Sequence, residues 1–77
     1  MRSRIREIIE IHIGLDPQDY REDANLIEDW GCDSLDITEV IMELEREFGI
    51  LIPDEDIQYL KTPNDIYSYI ERRLKKE

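Results

Sequence analysis

Gly31-Cys32-Asp33-Ser34-Leu35-Asp36, followed without a break by Ile37-Thr38-Glu39-Val40-Ile41-Met42-Glu43-Leu44-Glu45-Arg46-Glu47-Phe48, is the stretch from which the architecture of this chain follows. Ile37, Val40, Ile41, Leu44 and Phe48 recur at i, i+3, i+4, i+7 and i+11, the stripe of an amphipathic helix with one buried face. Gly49 stands where a left-handed C-cap ends such a helix. Asp33 is the natural N-cap, with Asp36 three residues on as its capping-box partner. The spacing predicts a helix from Ser34 or Leu35 to Phe48, with a serine at its positive end.

Working outward, Ile5, Ile8, Ile9 and Ile13 give an amphipathic helix from Arg2 to Ile13, capped by Gly14. Residues 14–33 show no period, and Pro17 with the Asp and Asn content reads as a long loop with one helical turn. A loop that long in a small domain is functional or pinned, and Leu15, Tyr20, Leu26, Ile27 and Trp30 are the expected pins. Beyond Gly49, Ile50-Leu51-Ile52 is too brief to assign by period. Pro53 opens an acidic turn, and a short helix is expected through Ile57 and Leu60. Thr62-Pro63-Asn64-Asp65 starts a last helix, with Ile66, Tyr69, Ile70 and Leu74 as its stripe and Arg72 to Lys76 at its negative end. The expected fold is all-α: a single domain over residues 1–77, built as a small bundle of three main helices plus one short helix, with the long loop between the first two.

Charge narrows the function. The chain has 77 residues and a formal net charge of −10. A domain of this size buries only about 60% of its unfolded surface, which leaves no room for a core and an enzyme-sized pocket together. Residues 14–69 carry sixteen acids against Arg21, Arg46 and Lys61, so the acidity surrounds Ser34. Nucleic acid and anionic membranes are excluded as partners, and basic protein surfaces are implied. One cysteine excludes a disulfide framework or a cysteine-rich metal site. Asp54 and Asp56 lack the glycine and distant glutamate of a calcium loop, so no metal site is expected. The N-terminus is charged and no apolar run approaches a membrane span, so a soluble, cytoplasmic monomer is expected.

At about 100° per residue, Leu35 and Met42 point away from the stripe of the second helix. Asp36, Glu39 and Glu43 lie to one side and Glu45 to the other. Two apolar side chains among acids are either incidental or a docking face for basic partners, and methionine suits adaptable contact. Asp36, Glu39, Glu43 and Glu47 repel at helical spacing, at about 0.2–0.5 kcal/mol per pair. Ser34 is either a cap or an attachment point. The attachment reading gains because Asp33 already offers a cap, because the acidic helix follows directly, and because a phosphate ester here would meet free N–H groups and the helix dipole. No Gly-x-Ser-x-Gly elbow and no partnering base support a hydrolytic role for it. Cys32 and His12 have no chemical partners in the sequence and read as structural residues. Trp30 reads as a loop anchor, and Tyr59, Tyr67 and Tyr69 as packing residues with polar tips at the surface.

Leu26-Ile27-Glu28-Asp29-Trp30-Gly31-Cys32-Asp33-Ser34-Leu35-Asp36, then Glu39, Met42-Glu43-Leu44-Glu45, Glu47-Phe48 and Ile52-Pro53-Asp54-Glu55, resembles an acyl carrier protein over essentially the whole chain. The closest likeness is to the free-standing kind of dissociated (type II) fatty acid synthesis. The resemblance implies a non-enzymatic carrier whose Ser34 receives 4′-phosphopantetheine from coenzyme A through a Mg²⁺-dependent transferase. It implies that acyl groups ride on that arm as thioesters. Asp33, Leu35, Asp36, Glu39, Met42 and Glu45 match the positions by which transferase and acyl-processing enzymes recognise the family. The growing chain is expected near Ile41, Leu44, Ile52, Leu60 and Ile66. Arg46, Glu43, Thr38, Ile66 and Trp30 depart from the common pattern, and these departures bear on acyl length and on the partner set. A specialised carrier of polyketide, lipid-modification or D-alanine transfer chemistry shares the same signature. An adaptor subunit using the acidic helix for protein contact is the alternative from another class.

Overall fold

The computed structural model describes residues 1–75. Its helices are α1 (Arg2–Ile13), α2 (Ser34–Phe48), α3 (Asp54–Ile57) and α4 (Pro63–Lys75), and a 3-10 turn at Pro17–Asp19 interrupts the long loop. Among the described residues there is no strand, so the all-α bundle of three main helices and a short one is what the chain forms. Lys76, expected at the end of the last helix, lies outside the described residues.

The caps are made as the sequence implies. Gly14 takes φ 77° and its N–H donates to the Glu10 carbonyl, with Leu15 donating to the same oxygen. Thr62 accepts from Asp65 N–H through Oγ1, while Asp65 Oδ2 accepts from Thr62 N–H, a capping box that starts α4 just before Pro63. The core gathers Ile5, Ile8 and Ile9 of α1, Val40, Ile41 and Leu44 of α2, and Ile66, Tyr67 and Ile70 of α4, closed by Leu26, Ile50, Ile52 and Leu60 from the connections. Burying each such aliphatic side chain contributes roughly 1.5–3 kcal/mol.

Four expectations are corrected. Ile27 is not a pin: it is 58% exposed, and the loop is held instead by Tyr20, Ala24 and Leu26 in the core, with Leu15 and Trp30 half-buried against it. The short helix ends at Ile57, and Leu60 is buried just past the turn at Gln58 and Tyr59, its N–H donating to the Ile57 carbonyl at 2.9 Å. The tip of Tyr67 is buried, because its hydroxyl hydrogen-bonds that of Tyr20 inside the core, while Tyr59 is 70% exposed and does not pack. The repulsion expected along α2 is partly relieved: Arg4 of α1 reaches Glu47 at 2.9 Å and Arg46 reaches Glu43 at 3.3 Å. Helical spacing within α2 gives no sign of the Arg4 pair, because it is made by packing α1 against α2.

The loop from 14 to 33 is stitched to the other side of the bundle by main-chain bonds. Leu26 N–H donates to the Lys61 carbonyl at 2.9 Å, and Asn64 N–H to the Glu22 carbonyl at 2.9 Å. These bonds fix the loop against the start of α4 and set the wall of the site described next.

Candidate functional site

The approach to Ser34 is built by a single helical turn. Asn25 Oδ1 accepts from the N–H groups of Ile27 and Glu28, both at 2.9 Å, and Asp29 Oδ2 accepts from Asn25 N–H at 2.7 Å. Gly31 closes the turn at φ 69°, a conformation that side chains disfavour. Gly31 N–H donates to the Ile27 carbonyl, the bond of an αL ending, and Cys32 N–H reaches back to the Leu26 carbonyl. The chain then turns Cys32 inward and Asp33 into extended geometry ahead of α2.

Asp33 and Asp36 form the capping box. Asp33 Oδ1 accepts from Asp36 N–H at 2.9 Å, and Asp36 Oδ2 accepts from Asp33 N–H at 3.1 Å. The cap is therefore carried by the aspartates, and Ser34, the first helical residue, is exposed. Thr38 Oγ1 donates to the Ser34 carbonyl at 2.8 Å and so bonds the main chain, not the serine hydroxyl. Burial, with Asp36 and Asp33 alongside, pushes the Cys32 thiol up, which keeps it protonated and inert.

Ser34 opens on a groove of about 590 Å³ between the start of α2, the 25–28 turn, and the segment from α3 to Lys61. Leu26, Ile27, Ile37, Ile57 and Leu60 supply its apolar lining, and Asn25, Glu28, Thr38, Asp54, Gln58 and Lys61 its polar one. Of the five expected acyl-pocket residues, Leu60 lines this groove. Ile41, Leu44, Ile52 and Ile66 stand in the closed core, each no more than 5% exposed. Sequence reasoning passed over Asn25, although an Asn preceding Leu26-Ile27-Glu28-Asp29 is a legible cap signal. The sequence places Ile27 among the loop pins and Ile57 in a short helix, and only the folded turn shows both lining the groove.

On the outer face of α2, Leu35 is 63% and Met42 54% exposed, with Asp33 and Glu39 exposed beside them. Asp36 is half-buried in the capping box. Glu45 also is half-buried, and its Oε2 accepts the Ile52 N–H at 2.7 Å, tying the end of α2 to the following loop. His12 Nδ1 of α1 lies 4.0 Å from Glu39 Oε2.

The chain matches the phosphopantetheine attachment site family over residues 3–70. It is 44% identical over 75 residues to an acyl carrier protein of Bdellovibrio bacteriovorus, covering 97% of this chain and 96% of that one. The chain belongs to the acyl carrier proteins. An acyl carrier protein of Thermotoga maritima is 42% identical over 72 residues, covering 94% of this carrier and 89% of that one. A solved structure from Mycobacterium tuberculosis, assigned to the acyl carrier proteins, superposes with TM-score 0.84 at 32% identity, covering 92% of this carrier and 95% of that chain. A solution structure from Anaplasma phagocytophilum, likewise assigned, gives TM-score 0.87 at 35% identity, covering 94% and 85%. Carriers of this family are not enzymes, and their cofactor is covalent 4′-phosphopantetheine. The residues present fit that group. An exposed hydroxyl at a helix start is open to modification, the N–H groups of Ser34 and Leu35 have no intramolecular acceptor among the described residues, and a groove with an apolar lining lies alongside.

Proposed function

We propose that Ser34 is the attachment point of the arm and that the chain works as a free-standing, cytoplasmic, monomeric carrier in fatty acid biosynthesis. The observation that carries this reading is the exposure of Ser34 beside the groove, with capping delegated to Asp33 and Asp36. When bound, the arm supplies a terminal thiol that holds acyl groups as thioesters. The chain's own residues do three things. The Ser34 hydroxyl provides the ester oxygen, and the first turn of α2 meets the resulting phosphodiester with its N–H groups. Ile37, Ile57 and Leu60 shelter apolar cargo from water, and they belong to or pack against the same cluster as Ile41, Leu44, Ile52 and Ile66, so rearrangement of these side chains would extend the groove into the core.

Asp33, Leu35, Asp36, Glu39, Met42 and Glu45 form the proposed docking face for the phosphopantetheinyl transferase and for acyl-processing enzymes with basic patches. Leu35 and Met42 provide the contact area, and the acids steer the encounter. Among the described residues no helix is long and apolar enough to cross a membrane.

The intact mass of carrier purified from its own source separates the pathways. Saturated or β-modified straight-chain acyl groups on the arm are the expected finding. An aminoacyl or polyketide load in their place would assign the chain to a specialised pathway. An adaptor role without the arm would show instead as full cellular function of Ser34→Ala.

A further inference from the structure

The carrier has a cation where its own charge distribution least accounts for one. Between residues 14 and 69 the bases are Arg21, Arg46 and Lys61. Arg21 lies 3.5 Å from Asp29 and 3.9 Å from Asp23, and Arg46 lies 3.3 Å from Glu43. No ion pair involves Lys61 among the described residues, although sixteen acids share this stretch. Its main chain is fixed: the N–H donates to Asp65 Oδ2 at 3.1 Å and the carbonyl accepts from Leu26 N–H. Lys61, which is exposed, lines the same groove as Ser34, and the other charged residues of that groove are the acids Glu28 and Asp54.

An anion placed on Ser34 enters a hostile field. Asp33 and Asp36 flank it, Glu28 and Asp54 share the groove, and the Asp36 N–H of the helix end is already committed to the capping box. The N–H groups left at the helix start offset this in part, and an ammonium on the wall of the same groove would offset more. We propose that Lys61 is the counter-ion of an anionic group carried on Ser34, and so a positioning residue that draws the arm into the groove. The proposal rests on Ser34 being the attachment point. Two anions have the required chemistry: the phosphodiester at the root of the arm, and the carboxylate of a dicarboxylic half-thioester at its end.

The experiment measures Tm of apo, holo, acetyl-loaded and malonyl-loaded carrier in wild type, Lys61→Gln and Lys61→Arg. An intact mass taken before each melt confirms loading, so failure of the Ser34 reading shows as absent mass and is told apart from failure of the Lys61 assignment. Both variants keep the two main-chain bonds of residue 61, so the apo forms serve as reference for folding. In Lys61→Gln the loaded-minus-apo Tm difference should fall below that of wild type by about 1–4 °C at low salt. Lys61→Arg should restore it, and high salt should shrink the gap. If the phosphodiester is the partner, the fall is already present in the holo form. If the carboxylate is the partner, it appears in the malonyl form and not in the acetyl form. Equal differences in wild type and Lys61→Gln for every loaded form would overturn the assignment.

Discussion

At the scale of single residues, the site separates tasks that the sequence left overlapping. Ser34 and Asp33 were both eligible as caps, and the Asp33–Asp36 box leaves the serine free. Ser34→Ala should therefore leave stability within about 0.5 kcal/mol, as for other surface substitutions. Asp33→Ala should cost about 1 kcal/mol, seen as a Tm loss of several degrees in thermal melts. The Tyr20–Tyr67 hydroxyl pair was invisible in the sequence, because forty-seven positions separate two residues that the fold brings into contact. Tyr67→Phe leaves a buried hydroxyl unpartnered and should destabilise by about 1–3 kcal/mol in urea titrations. Burial pushes the Tyr20 and Tyr67 phenols up from 10.0. Unfolded phenols release protons near pH ~10 while the folded pair retains its own, so the unfolded state binds fewer protons there. Stability is thus fully present below that pH and declines as pH rises above it. The double variant Tyr20→Phe, Tyr67→Phe should flatten this alkaline decline, leaving the smaller share of Tyr69, which burial also raises.

At the scale of elements, periodicity and caps were enough for the long helices. Arg2–Ile13 and Ser34–Phe48 each carry an apolar stripe, a terminal glycine and, in α2, a capping box, so local and tertiary preferences agree. The groove was less legible. It is lined by Ile27 and Ile57, whose facing depends on a turn and on a four-residue helix too short to show a period. α3 owes its place to bonds from elsewhere. Tyr69 O–H donates to Asp56 Oδ2 at 2.6 Å, and Arg73 Nη1 donates to the Tyr69 oxygen and to the Leu51 carbonyl, both at 2.8 Å. A four-residue helix has little stability of its own. Tyr69→Phe should therefore speed amide exchange at residues 54–57 several-fold, with exchange in α1 nearly unchanged. Equal acceleration in both helices would mean that α3 opens only when the whole bundle unfolds.

At the scale of the whole molecule, a net charge of −10 on a small bundle acts against compactness and in favour of encounter with basic proteins. Ion pairs from α1 reach Glu47 of α2 and Glu71 of α4, and they relieve part of the repulsion. Most of the remaining acids lie between residues 14 and 69, on both sides of Ser34 in the chain. Moderate salt should raise Tm by screening them, and a fall would show that the ion pairs outweigh the repulsion. The same salt should weaken binding of the transferase and of acyl-processing enzymes, mainly through the association rate. The exposed hydroxyl, the groove and the acidic surface all suit the proposed role of Ser34 as a tether. Incubation with coenzyme A, Mg²⁺ and a promiscuous phosphopantetheinyl transferase, followed by intact and tandem mass spectrometry, tests it most directly. A single phosphopantetheine located on Ser34, and absent from Ser34→Ala, is the predicted result. An unchanged mass in the wild type, or the same gain in Ser34→Ala, would contradict it.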